Sequence, residues 1–148
     1  MVYILIVLVI FLLDQKIKDG IEREHSLCER RPILKGNILI TKQYNKGAFL
    51  GFLKTKENLL FIINIFSIVL LGLFFLKEIF IKGSGLLKTS LAFIVGGALS
   101  NFYDRVKRKH VIDYFYFEKF RRVVFNIADM FIFVGGIIFI LYSLIFRK

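Results

Sequence analysis

Hydrophobic and polar residues follow one another along this chain in long blocks, and the apolar blocks have the length of helices. The apolar blocks cover residues 1–17, 58–76, 86–103 and 125–146. A helix needs about 20 mostly apolar residues to cross the hydrocarbon core of a bilayer. The first block approaches that length only when Asp14-Gln15-Lys16-Ile17 is counted with the apolar residues before it. The pattern therefore predicts four transmembrane helices.

The polar segments between these blocks differ in length and in character. Four spans would place both termini on one side of the membrane together with the short connection 77–85, and the connections 14–58 and 104–124 on the other side. In the long connection, Gly36-Asn37 precedes the alternating Ile38-Leu39-Ile40-Thr41, which predicts a turn and a small strand pair. We therefore expect an all-α integral membrane protein with a small β-strand element between spans 1 and 2, forming a single domain over residues 1–148.

The composition supports residence in a membrane. Hydrophobic residues make up 57% of the chain, which includes 18 Phe and a single Pro, and this is too apolar for an ordinary soluble domain. The formal net charge is +11, and each surface Lys or Arg contributes about 1 kcal/mol of attraction to anionic lipid headgroups. We expect membrane lipids as partners and no nucleic acid, because the basic residues lie between apolar blocks and form no separate soluble module.

Acidic residues at the edges of the apolar blocks give the strongest indication of chemistry. Asp14 closes the first block, Asp104 follows the third and Asp129 lies near the start of the fourth. A carboxylate at the edge of a hydrocarbon layer is costly, so it usually has a partner or a function. Asp113 lies among apolar neighbours in residues 111–115, which suggests a segment that folds back against the helices and approaches Asp129.

Two neighbouring carboxylates could hydrolyse a peptide bond. They cannot easily both ionise, so the pair shares a proton near neutral pH. The ionised member can take a proton from water while the protonated member polarises the scissile carbonyl. No metal or other cofactor is expected, because neither His25 nor His110 lies in a His-Glu-x-x-His motif and Cys28 is the only cysteine.

Each acid also has a structural interpretation. Asp104 could form an ion pair with Arg105 at a helix end, and Asp14 has Lys18 at the helical i,i+4 spacing. Asn101 and Asp104 would share one helix face, as would Asn126 and Asp129, which lie where a helix cap is expected. Two other functions remain open on this basis: a small transporter or channel subunit with an ion site, and a membrane assembly factor without enzymatic activity.

Five segments, taken together, resemble lipoprotein signal peptidase, also called signal peptidase II. They are similar to the family patterns Asp-Gln-x-x-Lys, Asn-x-Gly-Ala-x-x-Gly, Gly-Gly-Ala-x-Gly-Asn-x-x-Asp-Arg, Val-x-Asp-Phe and Phe-Asn-x-Ala-Asp. The segments here are Asp14-Gln15-Lys16-Ile17-Lys18, Asn45-Lys46-Gly47-Ala48-Phe49-Leu50-Gly51, residues 96–105, Val111-Ile112-Asp113-Tyr114 and Phe125-Asn126-Ile127-Ala128-Asp129.

The resemblance implies both an activity and a set of site residues. It implies an aspartyl endopeptidase of the cytoplasmic membrane that cleaves prolipoproteins just before the diacylglyceryl-modified cysteine. Asp113 and Asp129 would be the catalytic dyad. The residues that would support the site or bind substrate are Asp14, Asn45, Gly47, Asn101, Asp104, Arg105, Asn126 and Ala128.

The resemblance also implies an orientation. Both termini would be cytoplasmic, and the site and the strand element would lie near the outer face. Lys and Arg counts alone favour the opposite orientation, because the connections 14–58 and 104–124 hold more of them. We expect a monomer.

The chain departs from the family pattern at a few positions. Ser100 replaces a usual Gly and is expected to tighten the packing before Asn101, although Gly96-Gly97-Ala98 should still let a neighbouring helix approach closely. Phe49-Leu50 replaces the usual Ala-aromatic pair. The basic residues between the two acids should change the rim of the site and leave the reaction unchanged; they are Lys119, Arg121 and Arg122.

Overall fold

The computed structural model describes residues 1–33, 38–47, 57–117 and 123–146. Within these ranges the chain is mostly helical and also forms a small antiparallel sheet. The helices are α1 (Val2–Glu24), α2 (Glu57–Phe80), α3 (Gly85–Lys107) and α4 (Ile127–Phe146). The strands are β1 (Arg31–Ile33), β2 (Ile38–Asn45), β3 (Val111–Phe117) and β4 (Val124–Phe125).

Three of the helices are long and apolar enough to cross a membrane. They are Asn58–Phe80 within α2, Gly85–Lys107 and Ile127–Phe146. Large apolar side chains on α2 and α4 are exposed, among them Ile62 and Leu144, which suits contact with lipid. Helix α1 is outside this set of three, because its second half holds seven charged residues: Asp14, Lys16, Lys18, Asp19, Glu22, Arg23 and Glu24.

Helix α3 is the centre of the bundle and packs against α1, α2 and α4. Small residues allow these crossings, as the Gly96-Gly97 pair predicts. A Cβ added at Gly97 would lie 2.4 Å from the carbonyl oxygen of Ala128, and one added at Gly96 would lie 3.0 Å from the Cβ of Ile10. A larger residue at position 97 would therefore push the start of α4 away from α3.

The sheet has the order β1-β2-β3-β4, with every neighbouring pair antiparallel. The predicted strand pair in the first connection is confirmed as β1 and β2, while the predicted turn at Gly36-Asn37 lies outside the described residues. Strands β3 and β4 come from the segment between α3 and α4 and were not predicted. This also moves the start of α4 from the predicted residue 125 to Ile127.

Strand β3 packs one face against the second half of α1. Ile112 and Tyr114 lie in a buried cluster with Ile21, and Ile17 packs against it. Because side chains alternate along a strand, Asp113 faces the other way. The sheet thus lies at the end of the bundle where α1 and α3 end and α4 begins, beside all four of the predicted acidic positions.

Candidate active site

Asp113 and Asp129 come together around two asparagine side chains. Asn126 Nδ2 donates to Asp113 Oδ1 at 2.7 Å and to Asn101 Oδ1 at 3.2 Å. Asn101 Nδ2 donates to Asp129 Oδ1 at 2.7 Å. From the sheet, Asn45 Nδ2 donates to Asp113 Oδ2 at 3.0 Å. We call these five residues from β2, β3, α3 and the start of α4 the amide cluster.

Asp113 lies in a poorly solvated position, with only 4% of its surface exposed. Burial and, after it, the negative charge of Asp129 raise the pKa of Asp113 to about 7. Hydrogen bonds from Asn45 and Asn126 and the charge of Lys18 act in the opposite direction. Near neutral pH the pair can therefore share a proton, as two neighbouring carboxylates must to carry out acid–base hydrolysis.

Asn126 and Asp129 also cap helix α4. Asn126 Oδ1 accepts from the Asp129 backbone N–H at 2.9 Å, and Asp129 Oδ2 accepts from the Asn126 backbone N–H at 3.3 Å. This reciprocal pair is a capping box. Asn126 and Asp129 therefore cap the helix, as the structural interpretation predicted, and they also belong to the amide cluster around Asp113. The same geometry puts Asp129 in the first turn, where the helix dipole favours negative charge.

A second group of acids surrounds Lys18. Lys18 Nζ lies 2.6 Å from Asp14 Oδ2 and 2.8 Å from Asp104 Oδ2, and it donates to Asn101 Oδ1 at 2.9 Å. Asp14, Lys18 and Asp104 are fully buried. The predicted Asp14–Lys18 salt bridge is confirmed. Through Asn101, this group is in direct contact with the amide cluster.

Asp104 pairs with a different arginine from the predicted one. Its partner at the helix end is Arg108, one turn further along α3, since residues at i,i+1 do not face each other on a helix. Arg105 instead donates to the carbonyl oxygens of Asn101, at 3.1 Å, and Gly47, at 3.0 Å. The pair predicted between Asp104 and Arg105 is therefore wrong.

Gln15 and Ser100 complete the second group, and sequence reasoning gave neither of them a role in the site. Ser100 Oγ donates to Asp14 Oδ2 at 2.6 Å and accepts from Gln15 Nε2 at 2.8 Å, and Gln15 Nε2 also reaches Asp104 Oδ1 at 3.2 Å. The extra hydroxyl at position 100 thus joins α1 to α3. We call this group the ion-paired cluster; its members are Asp14, Gln15, Lys18, Ser100, Asp104 and Arg108.

The remaining predicted site residues lie around these two clusters. Gly47 N–H donates to Asn45 Oδ1 at 2.9 Å, so Gly47 fixes the asparagine that holds Asp113. Ala128 is fully buried, and its N–H donates to Asp14 Oδ1 at 3.2 Å. The departures at Phe49-Leu50 and at Lys119, Arg121 and Arg122 lie outside the described residues. Within the described ranges, no group of three or more His, Cys, Asp and Glu residues could hold a metal ion.

Tyr114 is a further site residue that the sequence patterns did not single out. Its hydroxyl accepts from the Ile127 N–H at 3.0 Å and donates to Asp14 Oδ1 at 3.3 Å. The available signal was its position next to Asp113 in a β-type run, where alternation puts neighbouring side chains on opposite faces. No sequence pattern indicates that its hydroxyl reaches α4.

Comparison with known proteins assigns this chain to one family. Residues 6–145 match the family model described as Signal peptidase (SPase) II. The chain is 38% identical to the lipoprotein signal peptidase of Halalkalibacterium halodurans, an alignment that covers 95% of this chain and 90% of that protein. It is 36% identical to the lipoprotein signal peptidase of Halothermothrix orenii, over 96% and 94% of the two chains.

Solved structures show the same fold. A bacterial membrane enzyme determined by the in meso method at 2.3 Å resolution has a TM-score of 0.86 and 30% identity, covering 97% of this chain and 87% of that one. A second, at 1.9 Å resolution, has a TM-score of 0.83 and 29% identity, covering 99% and 94%.

Proposed function

This chain belongs to the signal peptidase II family of aspartic-type peptidases, and on that premise we propose how it selects and cleaves its substrate. It removes signal peptides from prolipoproteins. We infer that it cuts just before the diacylglyceryl-modified cysteine, as the resemblance to the family implies. The main support for this proposal is the hydrogen-bonded link from Asp113 through Asn126 and Asn101 to Asp129. It joins two carboxylates through neutral amides, so neither carboxylate is neutralised by the link.

Asp129 is the general base in the proposed reaction, and Asp113 is the general acid. Burial and the negative charge of Asp129 raise the pKa of Asp113 to about 7, so Asp113 can hold the shared proton, and Asp129 is then its ionised partner. Asp129 takes a proton from water as the water oxygen attacks the scissile carbonyl carbon, and Asp113 gives its proton to the carbonyl oxygen. When the carbon–nitrogen bond breaks, the proton on Asp129 passes to the leaving amine, and Asp113 recovers its proton from the tetrahedral intermediate.

The neighbouring residues hold the two acids in place. Asn45, Asn101 and Asn126 donate from neutral amides, so they orient the carboxylates without cancelling the charge that the reaction needs. Gly47 and Arg105 fix the positions of Asn45 and Asn101. Asp14, Asp104 and Ala128 act further away, by joining α1 and α3 to the start of α4.

We propose that α1 is the fourth membrane span of a single peptidase domain. It has 23 residues, and at about 1.5 Å per residue it matches a hydrocarbon core of about 30 Å. Its apolar first half contributes Val7 to the buried cluster shared with α2 and α3, and its charged second half faces the two acid clusters.

The family resemblance supplies the proposed orientation in the cytoplasmic membrane. Both termini are cytoplasmic, and the sheet and the dyad lie near the outer face. A lipid-modified substrate then reaches the site sideways from the bilayer, with membrane lipids beside it. The proposed enzyme works as a monomer, since Asp113 and Asp129 and the asparagines that join them belong to one chain.

Cleavage of a diacylglyceryl-modified prolipoprotein by purified protein tests the function. Asp113→Asn and Asp129→Asn should each lower the rate by at least about 10³-fold, since each removes an acid–base group. Both variants should keep the helical signal of the parent and stay folded at the assay temperature. Asp19→Asn is the matched control, because it makes the same change at an exposed position of α1 and, among the described residues, removes only the ion pair with Arg108.

Two results would contradict the proposal. Cleavage that survives both substitutions in the dyad would move the catalytic role to other residues. A parent that does not cut the lipid-modified substrate would remove the peptidase function and favour transport or assembly.

A further inference from the structure

Tyr114 lies directly behind the proposed catalytic acid Asp113. Side chains alternate along β3, so Asp113 faces the amide cluster and Tyr114 faces the interior between β3, α1 and α4. Tyr114 is fully buried and packs with Ile21 and Ile112. The family pattern has Phe at this position, so packing alone does not require the hydroxyl.

The hydroxyl of Tyr114 is fully used. It accepts from the backbone N–H of Ile127 at 3.0 Å and donates to Asp14 Oδ1 at 3.3 Å. A carboxylate paired with Lys18 can only accept, which fixes the direction of the second hydrogen bond. The hydroxyl therefore links β3 to the first residue of α4 and to α1.

This link is one of three that satisfy the start of α4. The first N–H groups of a helix have no partner within the helix. Here the Ile127 N–H is bonded to Tyr114, the Ala128 N–H to Asp14 and the Asp129 N–H to Asn126. Loss of one acceptor would leave a buried donor unpaired, and the first turn would have to move to recover a partner.

We propose that Tyr114 is a positioning residue of the cleavage reaction, and that its hydroxyl holds the first turn of α4, with Asp129, at a fixed distance from Asp113 on β3. The inference rests on the function proposed above. It makes Tyr114 a support that acts on both acids at once, since the same residue neighbours Asp113 in the strand and bonds two positions before Asp129 in the helix.

Tyr114→Phe tests this role by removing one oxygen atom. The kcat for cleavage should fall about 3- to 30-fold while KM stays within about twofold, because small misplacement of a catalytic group lowers the rate of chemistry. Tyr116→Phe is the matched control: it makes the same change at a buried position of the same strand, two residues further along. It should keep the kcat of the parent.

The pH profile separates positioning from a general loss of stability. Asp129 from α4, Lys18 from α1 and Arg105 from α3 act on Asp113, and its pKa is raised by burial and, after it, by the charge of Asp129. If Asp129 moves away in Tyr114→Phe, that pKa falls and the high-pH limb of kcat moves to lower pH. A variant that is only less stable would have a lower kcat at every pH, and the high-pH limb of its profile would stay at the same pH.

Ile127→Pro removes the same hydrogen bond from the donor side, because proline has no N–H and suits the first position of a helix. Ile127→Ala keeps the N–H and controls for the lost side chain. Ile127→Pro should lower kcat relative to Ile127→Ala, and the double variant Tyr114→Phe/Ile127→Pro should lose no more than the larger single effect. If Tyr114→Phe does not fold, the comparison of Ile127→Pro with Ile127→Ala tests the role of this hydrogen bond by itself.

The proposal is overturned if Tyr114→Phe matches Tyr116→Phe in both kcat and pH limb, or if the losses in the double variant multiply. An inactive parent would instead contradict the peptidase function itself. A cleaving parent with inactive Asp113→Asn and an unaffected Tyr114→Phe would remove only the role of Tyr114.

Discussion

The ion-paired cluster and the amide cluster both hold two buried or partly buried carboxylates, yet they differ in what surrounds them. In the first, Asp14 and Asp104 lie within 3 Å of the ammonium group of Lys18, at 2.6 and 2.8 Å. In the second, the hydrogen bonds that the described residues make to Asp113 and Asp129 come from asparagine amides and one backbone N–H.

This difference separates structural from chemical roles. A cation between two carboxylates offsets their negative charge and joins the helices that carry them. Asparagine amides orient the two carboxylates of the amide cluster and bring no charge of their own, so this pair can share a proton near neutral pH. The same residue type at the same end of the bundle can therefore hold helices together in one cluster and carry out acid–base chemistry in the other. Asn101 lies between the two and bonds to both Lys18 and Asp129.

The largest expected effect on stability comes from removing the cation. Lys18→Met keeps the length of the side chain but, among the described residues, leaves Asp14 buried without a counter-ion and Asp104 with Arg108 alone. The free energy of unfolding should fall by about 3–5 kcal/mol. Unfolding of the detergent-solubilised protein measures this, with Lys16→Met, an exposed change on the same helix, as control. Equal stability of the two variants would show that the ion-paired cluster contributes little.

The amide cluster should make the free energy of unfolding depend on pH, through Asp113. Asp113 has a pKa raised from 3.8 to about 7, so the folded protein holds a proton that the unfolded chain has lost between these pH values. Stability is therefore highest below this window and falls as pH rises through it, by up to about 1.4 kcal/mol per pH unit. Asp113→Asn should make the free energy of unfolding depend less steeply on pH.

The free energy of unfolding of the parent and of Asp113→Asn, measured from pH 4 to pH 8, checks this prediction. Parallel curves would mean that Asp113 is not held in its protonated form by folding.

A smaller effect on stability should follow from a substitution outside both clusters that displaces the start of α4. The Cβ of Gly97→Ala would meet the Ala128 carbonyl oxygen at 2.4 Å and Ile132 Cγ1 at 2.8 Å. This overlap should lower the free energy of unfolding by about 1–3 kcal/mol. Because Asp129 moves with Ala128, cleavage should also fall, while the contacts of Lys18 between α1 and α3 remain.

Gly136→Ala is the control for Gly97→Ala, since a Cβ there meets nothing within 4 Å, and it should stabilise the helix by up to about 1 kcal/mol. Melting temperature and cleavage rate of the two variants are compared. Full activity of Gly97→Ala would mean that the site tolerates a shift of α4.

Local patterns were sufficient to predict much of the fold. Block length and apolar content predicted the four helices, and the alternating run after Gly36-Asn37 predicted β2. The i,i+4 spacing predicted the pair Asp14–Lys18, because both partners lie on one helix. Strand β3 was missed because it is mostly buried on both faces, so its residues other than Asp113 are apolar or aromatic and lack the alternation that marks a half-buried strand.

The sequence by itself determined which residue types stand at the ends of the helices, and therefore that acids, asparagines and basic residues would meet at one end of the bundle. Only the tertiary structure decided which partner each acid has. Asp104 bonds to Lys18 across α1 and α3, Asp113 bonds to Asn45 and Asn126, and Tyr114 reaches Ile127. These contacts join residues far apart in the chain, so local spacing holds no information about them, whereas the crossing of α3 with α1 and α4 at Gly96 and Gly97 fixes them.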